Sequence, residues 1–252
     1  MKAVSLAVLA ALGACAPDDV AFDPARCDAP RTYQIDQVKL PGNSSDLSAL
    51  ALDLDGNGLR DNALGQTSAT LIRMFEKVPL DLDARAADHL ATDTAWRISI
   101  ADCGGDTRAL AIGHDLLDTE GTLVDGRIEA TGSSGFVPLV ALFDGTGEAS
   151  SLMALTEQTA VSASEDGDEL TATIGFAISG ALASPLVVHG MTPFLDQHLD
   201  TGRAEVDTNG DGTLTEVEVA NNSFTRSLLG TDLVVDQIEA ISLGIRIHGR
   251  RQ

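Results

Sequence analysis

An alternation of apolar and polar residues is the feature of this sequence that most constrains its fold. Every second residue is apolar over positions 170–178, and a similar pattern returns over positions 241–247. Such period-two runs are typical of strands with one buried and one polar face. The dipeptide Asp166-Gly167 separates the first run from a weaker strand pattern at 155–163, which is a strong hairpin signal. The sequence therefore predicts antiparallel sheet.

Shorter patterns complete the predicted fold. Strand patterns also occur at residues 33–41, 96–101 and 110–112, and helical or capping patterns occur at residues 44–50, 62–77, 193–201 and 216–229. The chain is long enough to enclose one sizeable core. We predict a single α+β domain over residues 31–252, in which an antiparallel β-sheet is joined by a few helices.

The N-terminus has the organisation of a bacterial export signal. Lys2 precedes an apolar stretch of about ten residues, which is too short to span a bilayer. The stretch ends in a Leu-Gly-Ala-Cys sequence at residues 12–15, which resembles the lipobox of bacterial lipoproteins. We predict that residues 1–14 are a lipoprotein signal peptide and that Cys15 is lipidated. The alternative is an ordinary signal peptide with an incidental cysteine.

A lipid anchor implies a location in the bacterial cell envelope. Ala16 follows the cysteine, at the place where Asp is associated with retention in the inner membrane, so an outer-membrane lipoprotein is favoured. Residues 15–30 contain three prolines and no periodicity. They are typical of an acidic tether between the lipid and the domain.

The net charge of −22 limits the possible partners. A surface of this sign repels nucleic-acid phosphates, so we expect no nucleic-acid partner. It attracts divalent cations and basic molecules. The simpler alternative is that the acidic surface only keeps a secreted protein soluble.

Two cysteines remain beyond the predicted lipid attachment site. In an oxidising compartment the economical inference is one disulfide between Cys27 and Cys103. The alternative is two free thiols. The sequence contains no CxxC motif and no clustered histidines, which argues against a zinc site.

Residues 207–218, called the second loop below, match every position of an EF-hand calcium loop. Gly212 lies at position six, where the sharp turn needs a residue without a Cβ atom. The predicted oxygen ligands, with a backbone carbonyl from Thr213, are Asp207, Asn209, Asp211, Thr213, Thr215 and Glu218. Thr215 and Glu218 also have capping-box spacing, which would start a helix and orient Glu218 toward the loop. The alternative is a solvated acidic turn.

Residues 53–64, called the first loop below, match the same pattern less completely. The predicted ligands, with a backbone carbonyl from Leu59, are Asp53, Asp55, Asn57, Leu59 and Asp61. Position twelve is Leu64, so the bidentate carboxylate of an EF-hand is missing. Asp61 or a remote carboxylate would have to complete the coordination shell. The alternative is a Gly-Asn-Gly turn with Asp61 as a helix cap.

The two loops are not expected to pair as neighbouring EF-hands do. Paired loops bond to each other at position eight, which is Arg60 in the first loop and Leu214 in the second. Mostly strand-like sequence separates them. We expect two separate structural sites with the roughly 10⁻⁴–10⁻³ M dissociation constants of extracellular modules. Bound calcium would then support folding by linkage.

Two parts of the sequence resemble predicted lipoproteins of myxobacteria and related bacteria. The first is DLDGNGLRDNALG at residues 53–65, which follows IDQVKLP at residues 35–41. The second is the C-terminal order of an EF-hand loop, NSFTRSLL at residues 222–229 and SLGI at residues 242–245. Asn57 stands where aspartate is commoner in this family, which lowers the charge of the site and keeps an oxygen ligand. The resemblance implies a surface location and bound calcium, and it implies no reaction.

The sequence gives little support to catalysis. None of the five histidines lies in an HExxH or HxH motif. The pairs His114-Asp115 and Ser133-Ser134 are more simply explained as incidental polar residues. We therefore expect a calcium-binding, lipid-anchored envelope protein that is not an enzyme. It would act as an interaction or binding module for an envelope protein or a small ligand, and the alternative is a secreted, calcium-stabilised hydrolase.

Overall fold

A computed structural model describes most of the predicted domain. The described residues are 25–75, 81–84, 86–87, 96–113, 117–132, 135–137, 154–200 and 202–252. The predicted signal peptide, Cys15, most of the tether, His114-Asp115 and Ser133-Ser134 lie outside them. Among the described helices, none combines the length and the apolar character that a membrane crossing requires.

Strands make up most of the regular structure. In chain order the described strands are β1 (Arg31–Lys39), β2 (Arg97–Asp102), β3 (Thr107–Ile112), β4 (Leu117–Val124), β5 (Arg127–Gly132), β6 (Gly135–Val137), β7 (Ala154–Asp166), β8 (Glu169–Ser179), β9 (Leu233–Val235) and β10 (Ile238–Arg251). The helices described over their full length are α1 (Ser44–Ala49), α2 (Ala63–Met74), α3 (Gly180–His198), α4 (Arg203–Val206), α5 (Glu216–Asn221) and α6 (Ser223–Leu228).

Eight of these strands form one antiparallel sheet that closes on itself. Neighbouring strands pair in the order β1, β2, β3, β4, β5, β7, β8 and β10, and β10 pairs back onto β1. Strand β6 adds to β7, and β9 adds to β10. Closure satisfies the backbone donors and acceptors that would otherwise line two free edges.

The inward face of the closed sheet forms the main hydrophobic core. Tyr33, Ile98 and Ile112 lie in register on three successive strands and are almost completely buried. On strands β8 and β10, which continue the sheet beyond β1, Ile174 and Ile245 form a similar cross-strand pair. Since successive side chains of a strand point to opposite faces, the apolar set seen in the sequence fills the interior.

One edge of strand β10 pairs with other strands at its two ends, and its middle residues bond to side chains instead. The ends pair with β9 and β1. Between them, the Ser242 N–H donates to Asp232 Oδ1 at 2.9 Å, and the Gly244 N–H donates to Asn62 Oδ1 at 2.9 Å. Side chains thus take the place of a neighbouring strand, and Asn62 is also the N-cap of α2.

A pair of glycines lets the segment before α2 lie close against the outer face of the sheet. Gly175 of β8 and Gly244 of β10 are directly opposite each other. A Cβ atom on Gly244 would lie 1.9 Å from the Leu50 carbonyl oxygen, and one on Gly175 would lie 3.1 Å from the Leu54 side chain. Leu54 is 1% exposed and packs in a small apolar cluster on this face. The first loop is therefore attached to the sheet at the glycine pair.

The expected α+β fold with EF-hand helices is wrong. The described chain is mostly antiparallel β-sheet with a few helices, most of them short. Helices α4 and α5, on either side of the second loop, have four and six residues. The sheet also includes two strands that the sequence patterns do not predict, β4 and β5, which form a hairpin. Its turn, Asp125-Gly126, has positive φ at both residues, as a two-residue hairpin turn requires.

The helix predicted at residues 193–201 begins earlier than expected. Helix α3 starts at Gly180 and continues through Pro185 and Pro193, although proline removes a helical hydrogen bond. Packing maintains the helix because its buried residues repeat at four-residue intervals as Ala183, Val187, Met191 and Leu195.

The helix predicted at residues 216–229 is broken into two. Asn222 has an extended backbone with ψ of 134°, which ends α5. Its side chain accepts hydrogen bonds from the N–H groups of Phe224 and Thr225 and so begins α6. The strand and helix patterns at 33–41, 44–50 and 62–77 are confirmed to within a few residues.

The predicted disulfide is present. Cys27 and Cys103 are joined, with their Cα atoms 3.9 Å apart. The bond links the segment before β1 to the residue after β2. It packs beside the buried pair Ala101 and Ala109 on neighbouring strands.

Replacing both Cys27 and Cys103 by serine should lower the free energy of unfolding by roughly 2–5 kcal/mol. The bond joins residues 76 positions apart, so its loss frees a long segment of the unfolded chain. Urea denaturation measures the change, and a reductant should shift the wild type but not the variant. A variant as stable as the oxidised wild type would contradict a stabilising role for the bond.

Substitution of Gly244 by alanine should destabilise the protein by roughly 1–3 kcal/mol, because the new methyl group would overlap the Leu50 carbonyl oxygen. Gly230→Ala is the matched control, since a Cβ there would lie 3.9 Å from its nearest neighbours. Thermal unfolding of the two variants makes the comparison. Equal stability of both would show that the 50–62 segment does not depend on the glycine pair.

Candidate metal centre

Backbone amides organise the side chains of the first loop. Asp53 accepts two hydrogen bonds of 2.8 Å, from the N–H of Gly56 to Oδ1 and from the N–H of Gly58 to Oδ2. Further along, Asp55 Oδ1 accepts from the Asn57 N–H at 3.1 Å, and Asn57 Oδ1 accepts from the Leu59 N–H at 2.7 Å. These bonds bend the chain around its own acidic side chains.

The second loop has the same hydrogen-bond pattern at the same spacing. Asp207 accepts from the N–H groups of Gly210 and Gly212, both at 2.8 Å. Asn209 Oδ1 accepts from the Asp211 N–H, and Asp211 Oδ1 accepts from the Thr213 N–H, again at 2.8 Å. Two segments far apart in sequence therefore have the same local geometry. Both have Asp or Asn at positions one, three and five and glycine at position six, which explains the similarity.

Glycines at positions four and six make this geometry possible. Gly56 and Gly58 have φ of 75° and 84°, and Gly210 and Gly212 have φ of 72° and 85°. Residues with a Cβ atom rarely adopt this left-handed conformation, so both positions favour glycine. Position six was recognised in the sequence as the sharp turn of a calcium loop, and position four has the same requirement.

Glu218 closes the second loop by bonding to both of its ends. Its Oε1 accepts from the N–H groups of Thr208 at 2.9 Å and Asn209 at 3.2 Å. Its Oε2 accepts from the Thr215 N–H at 3.1 Å and the Thr215 hydroxyl at 2.8 Å. These hydrogen bonds, those from Thr215 above all, lower the pKa of Glu218 to about 2. Glu218 as a residue is 7% exposed, and the predicted capping box is present.

Asp61 closes the first loop in the absence of a carboxylate at position twelve. One oxygen atom from each of Asp53, Asp55 and Asp61 lies within 4.8 Å of the others. Asp61 Oδ2 accepts from the Leu54 N–H at 2.9 Å, and the residue is 9% exposed. Leu64 instead points into the core and is completely buried.

Burial raises the pKa of Asp61, and the neighbouring carboxylates of Asp55, Asp232 and Asp53 add to the increase. A buried carboxylate among other carboxylates is costly when ionised. A divalent cation at this position would offset that cost. The donor set fits calcium because it consists of carboxylate and amide oxygens, which are hard ligands.

The structure brings the predicted carboxylate ligands of the first loop together, whereas among the described residues those of the second loop do not form an equally close group. In the second loop Thr215 Oγ1 is bonded to Glu218, so the hydroxyl predicted as a ligand serves the capping box instead. Three contributing residues were missed: Asn62, Asp232 and Asp196. Each bonds to a residue at least ten positions away, beyond the reach of the short motifs in the sequence.

Comparison with known proteins finds no matching protein family, curated protein or solved structure. The resemblance to envelope lipoproteins remains a prediction from the quoted motifs. Interpretation of the site depends on its own geometry.

The Asp61→Asn variant should separate the destabilising effect of the Asp61 charge from its contribution to calcium binding. Since the folded-state pKa is raised, ionised Asp61 lowers stability at neutral pH, and acidification through that pKa removes the cost. Asparagine keeps an acceptor for Leu54, so without calcium the variant should melt at or above the wild-type temperature.

With calcium the order should reverse, because only the wild type gains the full linkage stabilisation. That gain is about 1.4 kcal/mol when calcium is at ~10 times its dissociation constant. Thermal unfolding in EDTA and in millimolar calcium gives both values. A variant that responds to calcium as strongly as the wild type would exclude Asp61 as a ligand.

Proposed function

We propose that this protein binds two calcium ions, one in each loop, and that the ions have a structural role. The observation that carries the proposal is the shared arrangement of the two loops. In each, alternate Asp or Asn side chains are held by the same four amide contacts, and a buried carboxylate closes the loop. Carboxylate and amide oxygens in this arrangement, which in the first loop include three clustered carboxylates, suit a hard divalent cation.

Calcium in the first loop would tie the 50–62 segment to the closed sheet. The loop is anchored through Leu54 on one side and through Asn62 on the other. Three carboxylates lie together beside these anchors, so their repulsion opposes the folded arrangement at neutral pH. A bound ion would convert this repulsion into attraction and stabilise the folded state by linkage.

The proposal includes attachment to the cell envelope through a lipid on Cys15. Its support is the export signal and the lipobox-like sequence, together with the proline-containing tether that leads to the first described residues. The disulfide between Cys27 and Cys103 fits an oxidising compartment, where such bonds persist.

An apolar groove supports a role as an interaction or binding module. It has a volume of about 410 Å³ and lies between α3, α5 and α6, where Pro185, Val188 and Val217 contribute to its lining. Val217 is 68% exposed, and exposed apolar surface of this kind is typical of interaction sites. Helix α5 begins at the carboxylate end of the second loop, so the groove adjoins a proposed calcium site.

Calorimetric titration of the purified protein with calcium tests the proposal. The wild type should show two binding events. Glu218→Gln should abolish the one assigned to the second loop and Asp55→Asn the one assigned to the first. Each variant removes one carboxylate charge while keeping the size of the side chain.

Glu239→Gln and Asp106→Asn are the matched controls, because both residues are exposed and lie outside the loops. They should retain both binding events. Absence of heat in the wild type at millimolar calcium would reject calcium binding. Heat that persists unchanged in both loop variants would place the ions elsewhere.

A further inference from the structure

We infer that Asp196, near the end of α3, is a positioning residue that orients the Thr213 carbonyl oxygen toward the ion in the second loop. The inference rests on the proposed calcium function. It begins from position eight of the loop, where the Leu214 N–H donates to Asp196 Oδ1 at 2.7 Å. Asp196 takes the place that a partner loop would occupy in a pair of EF-hands.

The geometry of the peptide bond connects this contact to the ion. The Leu214 N–H and the Thr213 carbonyl belong to one planar peptide group, and the described chain contains no cis peptide bond. In a trans peptide group the N–H and the C=O point in opposite directions. Drawing the N–H toward Asp196 therefore turns the Thr213 oxygen the other way. Position seven is the place where an EF-hand loop supplies a backbone carbonyl ligand.

The acceptor is a charged group, which strengthens the effect. A hydrogen bond from an amide to a carboxylate is shorter and stronger than one to a neutral acceptor. It also polarises the peptide group, so the Thr213 oxygen carries more negative charge. Asp196 would then improve both the direction and the donor strength of this ligand.

Arg203 keeps the Asp196 carboxylate in position. Both of its terminal nitrogens, Nη1 and Nη2, donate to Asp196 Oδ1 at 3.0 Å, and Nη2 also bonds to the Asp196 carbonyl. Nη1 lies 3.4 Å from the Gly212 carbonyl oxygen. The Asp196–Arg203 pair thus contacts the residues on both sides of Thr213, and Leu214 is fixed further by its buried side chain.

Within the part of the chain that the structure describes, no corresponding contact supports the first loop at position eight. Its residue there, Arg60, is exposed, and its side chain donates to the Ser48 carbonyl. The first loop is held instead by its packing on the sheet. A change at Asp196 should therefore affect only the second loop, which gives the experiment an internal reference.

The test is calcium titration of Asp196→Asn and Asp196→Ala, with Asp200→Asn as control. Asp200 is exposed and four residues away, so its change removes the same charge without the contact to Leu214. We expect Asp196→Asn to weaken calcium binding at the second loop by about 10- to 100-fold. This is the usual effect of losing a residue that orients a metal ligand through a hydrogen bond. Asp196→Ala should weaken it at least as much. Affinity at the first loop should stay unchanged in all three variants.

A second measurement, in calcium-free protein, separates orientation from general stability. The amide proton of Leu214 should move upfield in the NMR spectrum of Asp196→Asn, and the Thr213 carbonyl carbon should shift with it, while Asp200→Asn leaves both unchanged. Equal affinity in the wild type and both Asp196 variants, or an equal loss in Asp200→Asn, would overturn the inference. A wild type that binds no calcium at the second loop would instead reject the proposed function.

Discussion

The pairing of strand β10 is the constraint on which the rest of the structure depends. This strand pairs with β8 along most of its length and with β1 near its end, so it converts a row of antiparallel strands into a closed sheet. Closure creates the interior that the alternating apolar residues fill. It also leaves a short unpaired stretch of β10 edge, where Asn62 and Asp232 supply the missing hydrogen-bond acceptors. The chain that carries the first loop is therefore fixed to the strand that closes the sheet.

The two loops share their internal geometry and differ in how they are attached. The first loop lies on the outer face of the sheet, beside the pair Gly175 and Gly244, and Leu54 secures it by burial. The second loop lies between short helices, and Asp196 of α3 holds its backbone. Carboxylates in the first loop crowd together, whereas the negative charge of Glu218 in the second is stabilised by amide hydrogen bonds. If both loops bind calcium as proposed, its removal should disturb the sheet surface through the first loop and the local helix contacts through the second.

The sequence was a good guide to local structure and a poor guide to structure that depends on distant contacts. The runs at 170–178 and 241–247 identified the strands of the core, and the Asp-Gly rule located the β7–β8 turn. The same rule applied at Asp125-Gly126 would have found β4 and β5. The start of helix α3 was predicted too late, because the packing of its buried face stabilises the helix despite two prolines within it. Sheet closure, the glycine pair and Asp196 depend on residues remote in sequence, so one sequence alone could not show them.

The central claim is that each chain holds two calcium ions within two similarly built loops. Native mass spectrometry of the purified protein in millimolar calcium counts the bound ions directly. We expect a mass equal to the chain plus two calcium ions, with both lost after dialysis against EDTA. A chain that carries no calcium, or a broad and variable number of ions typical of nonspecific binding to an acidic surface, would contradict the account.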